Sequence, residues 1–217
     1  MFCYTIGCMF SSLPLGSIVI VLASMLISIP IHEAMHAFAA RALGDKTAEE
    51  EGRLSLNPLK HVDIVMTIAL PAILLLLHLP PIFIAKPVPF NPRNVRYGDF
   101  GAALVGLAGP VTNLVLAVIA SLALRAIAPS IGIGMGNAMA LFIQINIVLF
   151  VFNMIPIPPL DGSRLLYAFA PESVQRLMHQ LESAGFGATI LILLLLSPFI
   201  SPVVLSITDA IYTFLLR

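Results

Sequence analysis

Long runs without a single Asp, Glu, Lys or Arg dominate the chain: Leu13–Ile31, Ile64–Ala85, Gly101–Leu124, Ala126–Leu160 and Ser183–Thr208. A helix needs about 20 mostly apolar residues to cross a bilayer, and each run has that length. The first continues as helix to about Leu43. The second carries one titratable group, His78. In the fourth, Pro129 and the run IGIGMGN place the start of the helix near Asn137. In the last, SPFISP predicts either one kinked helix or two shorter ones. Between these runs, RLSLN (residues 53–57) alternates and predicts a short strand. AKPVPFNPRNVRYGD (residues 85–99) has three prolines and predicts extended chain lying near the first loop at the membrane. Residues 170–185 predict a short amphipathic helix with Val174, Leu177, Met178 and Leu181 on its apolar face. No repeat or low-complexity stretch interrupts the pattern. The expected fold class is an all-α polytopic membrane protein of five to six transmembrane helices. Short membrane-associated β segments are expected in its loops, and residues 1–217 form a single domain.

Composition agrees. The chain is 59% hydrophobic and 10% charged, where soluble domains carry about a quarter charged residues. A water-soluble chain of 217 residues has no interior able to hide so much apolar surface. The net charge is zero, which gives no sign of nucleic-acid binding. A cleaved signal peptide is not expected: the first basic residue is Arg41, and the apolar stretch runs directly into the motif described next. Cys3 and Cys8 read as small apolar residues in or near lipid. Basic residues divide almost evenly between the two sides, so orientation is not set by them.

The chemistry lies in HEAMH, His32 to His36. Four residues apart on a helix, the two histidines stand about 40° apart on one face, one turn above the other. Both imidazoles can reach one metal ion, and Glu33 beside them can take a proton from an activated water. Ionisable side chains in spanning segments are costly and usually mark function. A catalytic zinc usually has three protein ligands, so a third is needed. Glu49, Glu50 and Glu51 form an acidic run that reads as solvated surface, and His61 and Asp63 stand at the start of the next span. Asp161 is the favoured candidate, being the first acidic residue after Asp99 and following a rigid Pro-rich segment. An N-cap for a helix starting near Gly162 is the competing role for it.

Taken together, HEAMH, AGPVTN (residues 108–113) and NMIPIPPLDG (residues 153–162) resemble the site-2 protease family of intramembrane zinc metalloproteases, peptidase family M50. GRLSLNPLKHVD and KPVPFNPRN resemble its compact branch without a PDZ domain, although IVMTIALP follows HVD where a Pro-Leu-Gly type continuation is usual in that branch. The resemblance covers about residues 29–166. It implies one zinc ion per chain held by His32, His36 and Asp161, with Glu33 as catalytic base. It further implies substrate or transition-state support from Asn113 and Asn153, each of which could instead be a buried amide linking helices. The implied partners are a transmembrane protein substrate and the lipid bilayer, with homo-oligomerisation left open. The implied location is multi-pass in a prokaryotic cell membrane. A metal transporter or metal sensor is the rival, but it would use several acidic groups along a path and gives Glu33 no part.

Overall fold

The computed structural model describes residues 15–57 and 88–217. The expected span at Ile64–Ala85, with its unusual IVMTIALP start, lies outside them, as do His61 and Asp63. The described elements are α1 (Leu15–Ala42), α2 (Thr47–Glu50), α3 (Gly98–Ile127), α4 (Ile133–Asn153), α5 (Gly162–Phe169), α6 (Glu172–Ser183) and α7 (Gly185–Leu216), with short 3-10 turns at Pro92–Asn94 and Ala128–Ser130. Among the described residues there is no strand. Four helices are long and apolar enough to cross a membrane: α1, α3, α4 and α7. The molecule is an integral membrane protein.

Helix α3 is the centre of the bundle and packs against α1, α4, α5 and α7. It can do so because its inward face is built from small residues. Ala102, Gly106, Gly109, Asn113 and Ala117 recur every three or four positions and are buried or nearly so. Without a hydrophobic drive between helices in lipid, such residues let backbones approach and pack. Further along, Ala117 joins Ile143, Ile147 and Val151 of α4 in a buried cluster. Outside, large apolar side chains such as Leu194, Leu195, Phe199, Val203 and Phe214 of α7 stand exposed, as a lipid-facing surface requires.

The structure moves one helix start, selects one of two alternatives, and gives no support to a third expectation among the described residues. Helix α4 begins at Ile133, ahead of Asn137, because the break is made by Pro129 in the preceding 3-10 turn while Gly134 and Gly136 stay helical. Helix α7 is a single helix despite Pro198 and Pro202. A proline at 198 deprives the Leu194 carbonyl of its usual donor, and the Ser197 hydroxyl supplies one at 2.8 Å. RLSLN carries no strand among the described residues: Arg53 N–H turns back to the Ala48 carbonyl (2.8 Å) and Ser55 N–H to that of Arg53 (2.9 Å). The amphipathic helix α6 forms as expected and buries Met178, although Leu177 is exposed.

The two polar loops do lie together. Helix α1 ends with the Asp45 N–H donating to the Ala40 carbonyl at 2.9 Å. The buried Asp45 carboxylate then accepts from Thr47 N–H (3.1 Å), Thr47 Oγ1 (2.6 Å), Asn91 N–H (2.7 Å) and Asn94 Nδ2 (3.3 Å). Beside it, Arg96 N–H donates to the Leu43 carbonyl at 2.8 Å. Burial alone pushes the Asp45 carboxyl up, but the donors from Thr47, Asn91 and Asn94 outweigh it and hold the group below its ordinary value. A depressed carboxyl stabilises the fold fully above the unfolded value of about 3.9, and that stabilisation is lost as pH falls through the folded value. Melting of the detergent-solubilised protein between neutral and acid pH should therefore show a larger acid loss for wild type than for Asp45→Asn. Equal slopes would mean that this carboxylate is not a charged anchor.

Candidate metal centre

Helix α1 carries His32 and His36 on the face turned to α3, and the chain after α4 brings in Asp161 from 129 positions beyond His32. The three side chains converge. His32 Nε2 lies 3.1 Å from His36 Nε2 and 3.1 Å from Asp161 Oδ2, which is 3.3 Å from His36 Nε2. Tetrahedral coordination with bonds of about 2.0–2.1 Å separates neighbouring donor atoms by about 3.3 Å. The triangle thus has the size of three zinc ligands.

The protons on the imidazoles follow from a chain of hydrogen bonds whose direction is fixed at its far end. Asn146 Nδ2 donates to the Phe142 carbonyl at 2.9 Å. A carbonyl can only accept, so Asn146 Oδ1 is left to accept from Asn113 Nδ2, 3.1 Å away. Asn113 Oδ1 is then turned to His32 Nδ1 at 2.5 Å, and that nitrogen must be the donor. His36 Nδ1 likewise donates to the Val105 carbonyl at 2.7 Å. In the neutral ring the Nε2 of each histidine is consequently a bare lone pair. Two such lone pairs and a carboxylate oxygen are aimed at one point. Electron-rich atoms so disposed call for a cation between them. The donor set, its spacing and its protonation all fit a divalent metal with a taste for imidazole.

Close backbone approach makes room for the cluster. A Cβ on Gly109 would strike His36 Nε2 and stand 2.6 Å from His32 Nε2, so only glycine lets α3 come this near. A Cβ on Gly162 would collide with the Met154 peptide, its carbon 2.5 Å away. Glycine after Asp161 is what allows the chain leaving α4 to fold back on itself and deliver the carboxylate.

Of the residues singled out in the sequence, His32, His36 and Asp161 are brought together, and they are the one such cluster among the described residues. Asp161 stands at the N-cap position of α5 yet makes no side-chain capping bond there, so its carboxylate is turned to the histidines and away from the helix end. Glu49 is instead ion-paired with Arg41 at 2.8 Å, and Glu50 and Glu51 are exposed. Asn113 lies against His32 and Asn146, completely buried. Asn153 donates to the Leu149 carbonyl of its own helix at 2.9 Å. Glu33, partly buried, accepts from the Val88 backbone N–H at 3.1 Å. Asn146 and Val88 were not anticipated. The one available sign of Asn146 was an amide within an apolar helix, a sign it shares with Asn137, Gln144 and Asn153.

Comparison with known proteins follows the same direction. The family model for peptidase family M50 matches residues 122–197. The protein named "Putative zinc metalloprotease YwhC" from Bacillus subtilis is 36% identical over 180 residues, covering 80% of this chain and 79% of its own. Proteins with the same description, called Rip2, from Mycolicibacterium smegmatis and Mycobacterium tuberculosis are each 30% identical over 186 residues, covering 84% of this chain and 69% of theirs. No solved structure matches the chain significantly.

Proposed function

The chain is a member of peptidase family M50, a metalloprotease, and from that premise we propose that residues 1–217 act as one intramembrane endopeptidase. It cuts peptide bonds within or beside the transmembrane segments of other membrane proteins, in the cell membrane of a bacterium. One observation carries the reading: the two unprotonated Nε2 atoms and the Asp161 carboxylate converge inside a bundle of helices long and apolar enough to cross a membrane. His32, His36 and Asp161 hold one zinc ion, whose part is to polarise the scissile carbonyl and make water a better nucleophile at neutral pH.

The remaining steps belong to the chain's own residues. Glu33 takes a proton from the attacking water and returns it to the leaving nitrogen. Asn113 and the Val105 carbonyl lock the two imidazoles in the tautomer that presents Nε2. Asn146 acts one step further out by setting which end of the Asn113 amide meets His32. The motif sits in an apolar helix because the substrate is itself a membrane segment. Such a segment hides its carbonyls in its own helix and must unwind before Glu33 and its water can act on it. A transport site would use several ligand clusters along a path, and Glu33 would have no task in it.

The direct test is cleavage of a panel of single-span substrates by detergent-purified protein, with and without a chelator. Loss on chelation, and recovery with zinc, is expected. Cleavage that persists in zinc-free protein would sink the proposal. Outer-shell partners of a ligating histidine are worth about 10–100-fold in metal affinity. Asn146→Leu, at a fully buried position, should weaken zinc retention by an amount in that range. An unchanged affinity would remove the relay from the mechanism.

A further inference from the structure

We propose that the backbone amide of Val88 is a positioning group for Glu33, held in place by a clamp centred on Asp45. The inference rests on Glu33 being the base, and it concerns how that base is aimed.

A glutamate on a helix surface has several rotatable bonds, and a general base works only when its oxygen is held at the reacting proton. Glu33 Oε2 accepts the Val88 N–H at 3.1 Å. Fixing one carboxylate oxygen leaves the other to handle the proton. The donor is itself fixed. The Val88 side chain is buried against Ala37 and Ala48, and Ala37 lies one turn beyond Glu33 on α1. Three residues on, Asn91 N–H is held by Asp45, which also takes Asn94 Nδ2, and Arg96 N–H bonds the Leu43 carbonyl. Phe90, between these anchors, packs on the cluster of Ala40, Val95 and Val105, with the Arg164 guanidinium 5.7 Å from its ring centre. The segment from Val88 to Arg96 is thus strapped along α1 from Glu33 to Leu43. The rest of the strap explains itself as packing and loop anchoring. The Val88–Glu33 bond joins the strap to the reactive carboxylate, and that is the contact with a chemical consequence.

The sequence PVP makes the amide unusually testable. Prolines carry no N–H, so Val88 is the single backbone amide between Lys86 and Phe90. In hydrogen exchange read by overlapping peptides of the full chain, Glu33→Ala should speed exchange at this amide by about tenfold or more. Glu33→Gln, which keeps an acceptor oxygen, should leave it protected. Equal protection in Glu33→Ala and wild type would overturn the contact without any assay of cleavage. Kinetically, Val88→Pro deletes the N–H, while Val88→Ala removes the buried side chain and keeps it. Misplacement of a reacting group costs on the order of 10²-fold. Val88→Pro should therefore lower kcat by about 10–100-fold with KM and zinc content unchanged, and Val88→Ala, which loosens the anchor but keeps the N–H, should cost less than Val88→Pro.

A merely structural strap predicts the reverse order, with the truncation worse than the proline. A faster Val88→Pro enzyme would mean that the bond restrains the base. Either result overturns the proposal. Cleavage by Glu33→Gln at the wild-type rate would sink the base and its positioning together. An inactive Glu33→Gln beside a fully active Val88→Pro would sink the positioning alone.

Discussion

Glu33→Gln should bind zinc as the wild type does, melt at the same temperature, and cleave 10²–10⁴-fold more slowly, the range general-base catalysis contributes. The substitution is close to isosteric. Its amide oxygen can still accept the Val88 N–H, so the strap over α1 stays closed. What it cannot do is take a proton from water. The three converging donors belong to His32, His36 and Asp161, none of which is changed. Zinc content by elemental analysis and single-span substrate cleavage, measured on one preparation, separate the outcomes. A rate above about a tenth of wild type would be incompatible with a general base at this position. Loss of zinc would show that Glu33 ligates, which the triangle of the other three does not require.

Much of this site is legible in the sequence because its first half is local. Two imidazoles one turn apart on a helix must share a face, whatever the rest of the chain does, and an ionisable group in an apolar run advertises itself. Asp161 is legible for the second reason only. Nothing in its local sequence distinguishes a ligand from a cap; in the structure its side chain makes no capping bond at the start of α5.

The unread parts share one property: their meaning lies in pairing across the fold. Asn146 is 33 positions from Asn113, and neither amide announces its partner. The direction of their bond depends on the Phe142 carbonyl, a backbone atom common to every residue type. Val88 contributes an amide hydrogen, which sequence does not mark at all. The single α7 was undecidable for a related reason. Two prolines predict a break unless something satisfies the freed carbonyl, and the Ser197 hydroxyl does so from inside the suspected break itself. No strand is found at residues 53–57 among the described residues, where the Arg53 and Ser55 amides turn to Ala48 and Arg53; alternation specifies a face without specifying a ladder.

Asp161→Asn carries the second large effect, because the two roles open to this residue predict opposite results. Asparagine caps a helix as well as aspartate does, so a capping role tolerates the change. As a ligand, the carboxylate brings negative charge to a doubly charged ion, and its Oδ2 closes the triangle with both Nε2 atoms. The amide has no charge and offers one weak oxygen in place of two. The loss in zinc affinity should exceed the roughly 10–100-fold expected for an outer-shell change such as Asn146→Leu, and cleavage should disappear with it. The fold should survive, since α5 is also held by the Arg164–Glu182 ion pair at 3.3 Å and by the buried Gly162 and Ser163. His61→Ala and Asp63→Asn supply the comparison, being the other candidates for the third ligand. Dialysis of the three variants against the same chelator, followed by zinc analysis and cleavage, decides among them. If Asp161→Asn retains metal and activity while either loop variant loses them, the third ligand comes from the first loop, and the convergence of Asp161 on the histidines is a hydrogen-bonded contact without a metal.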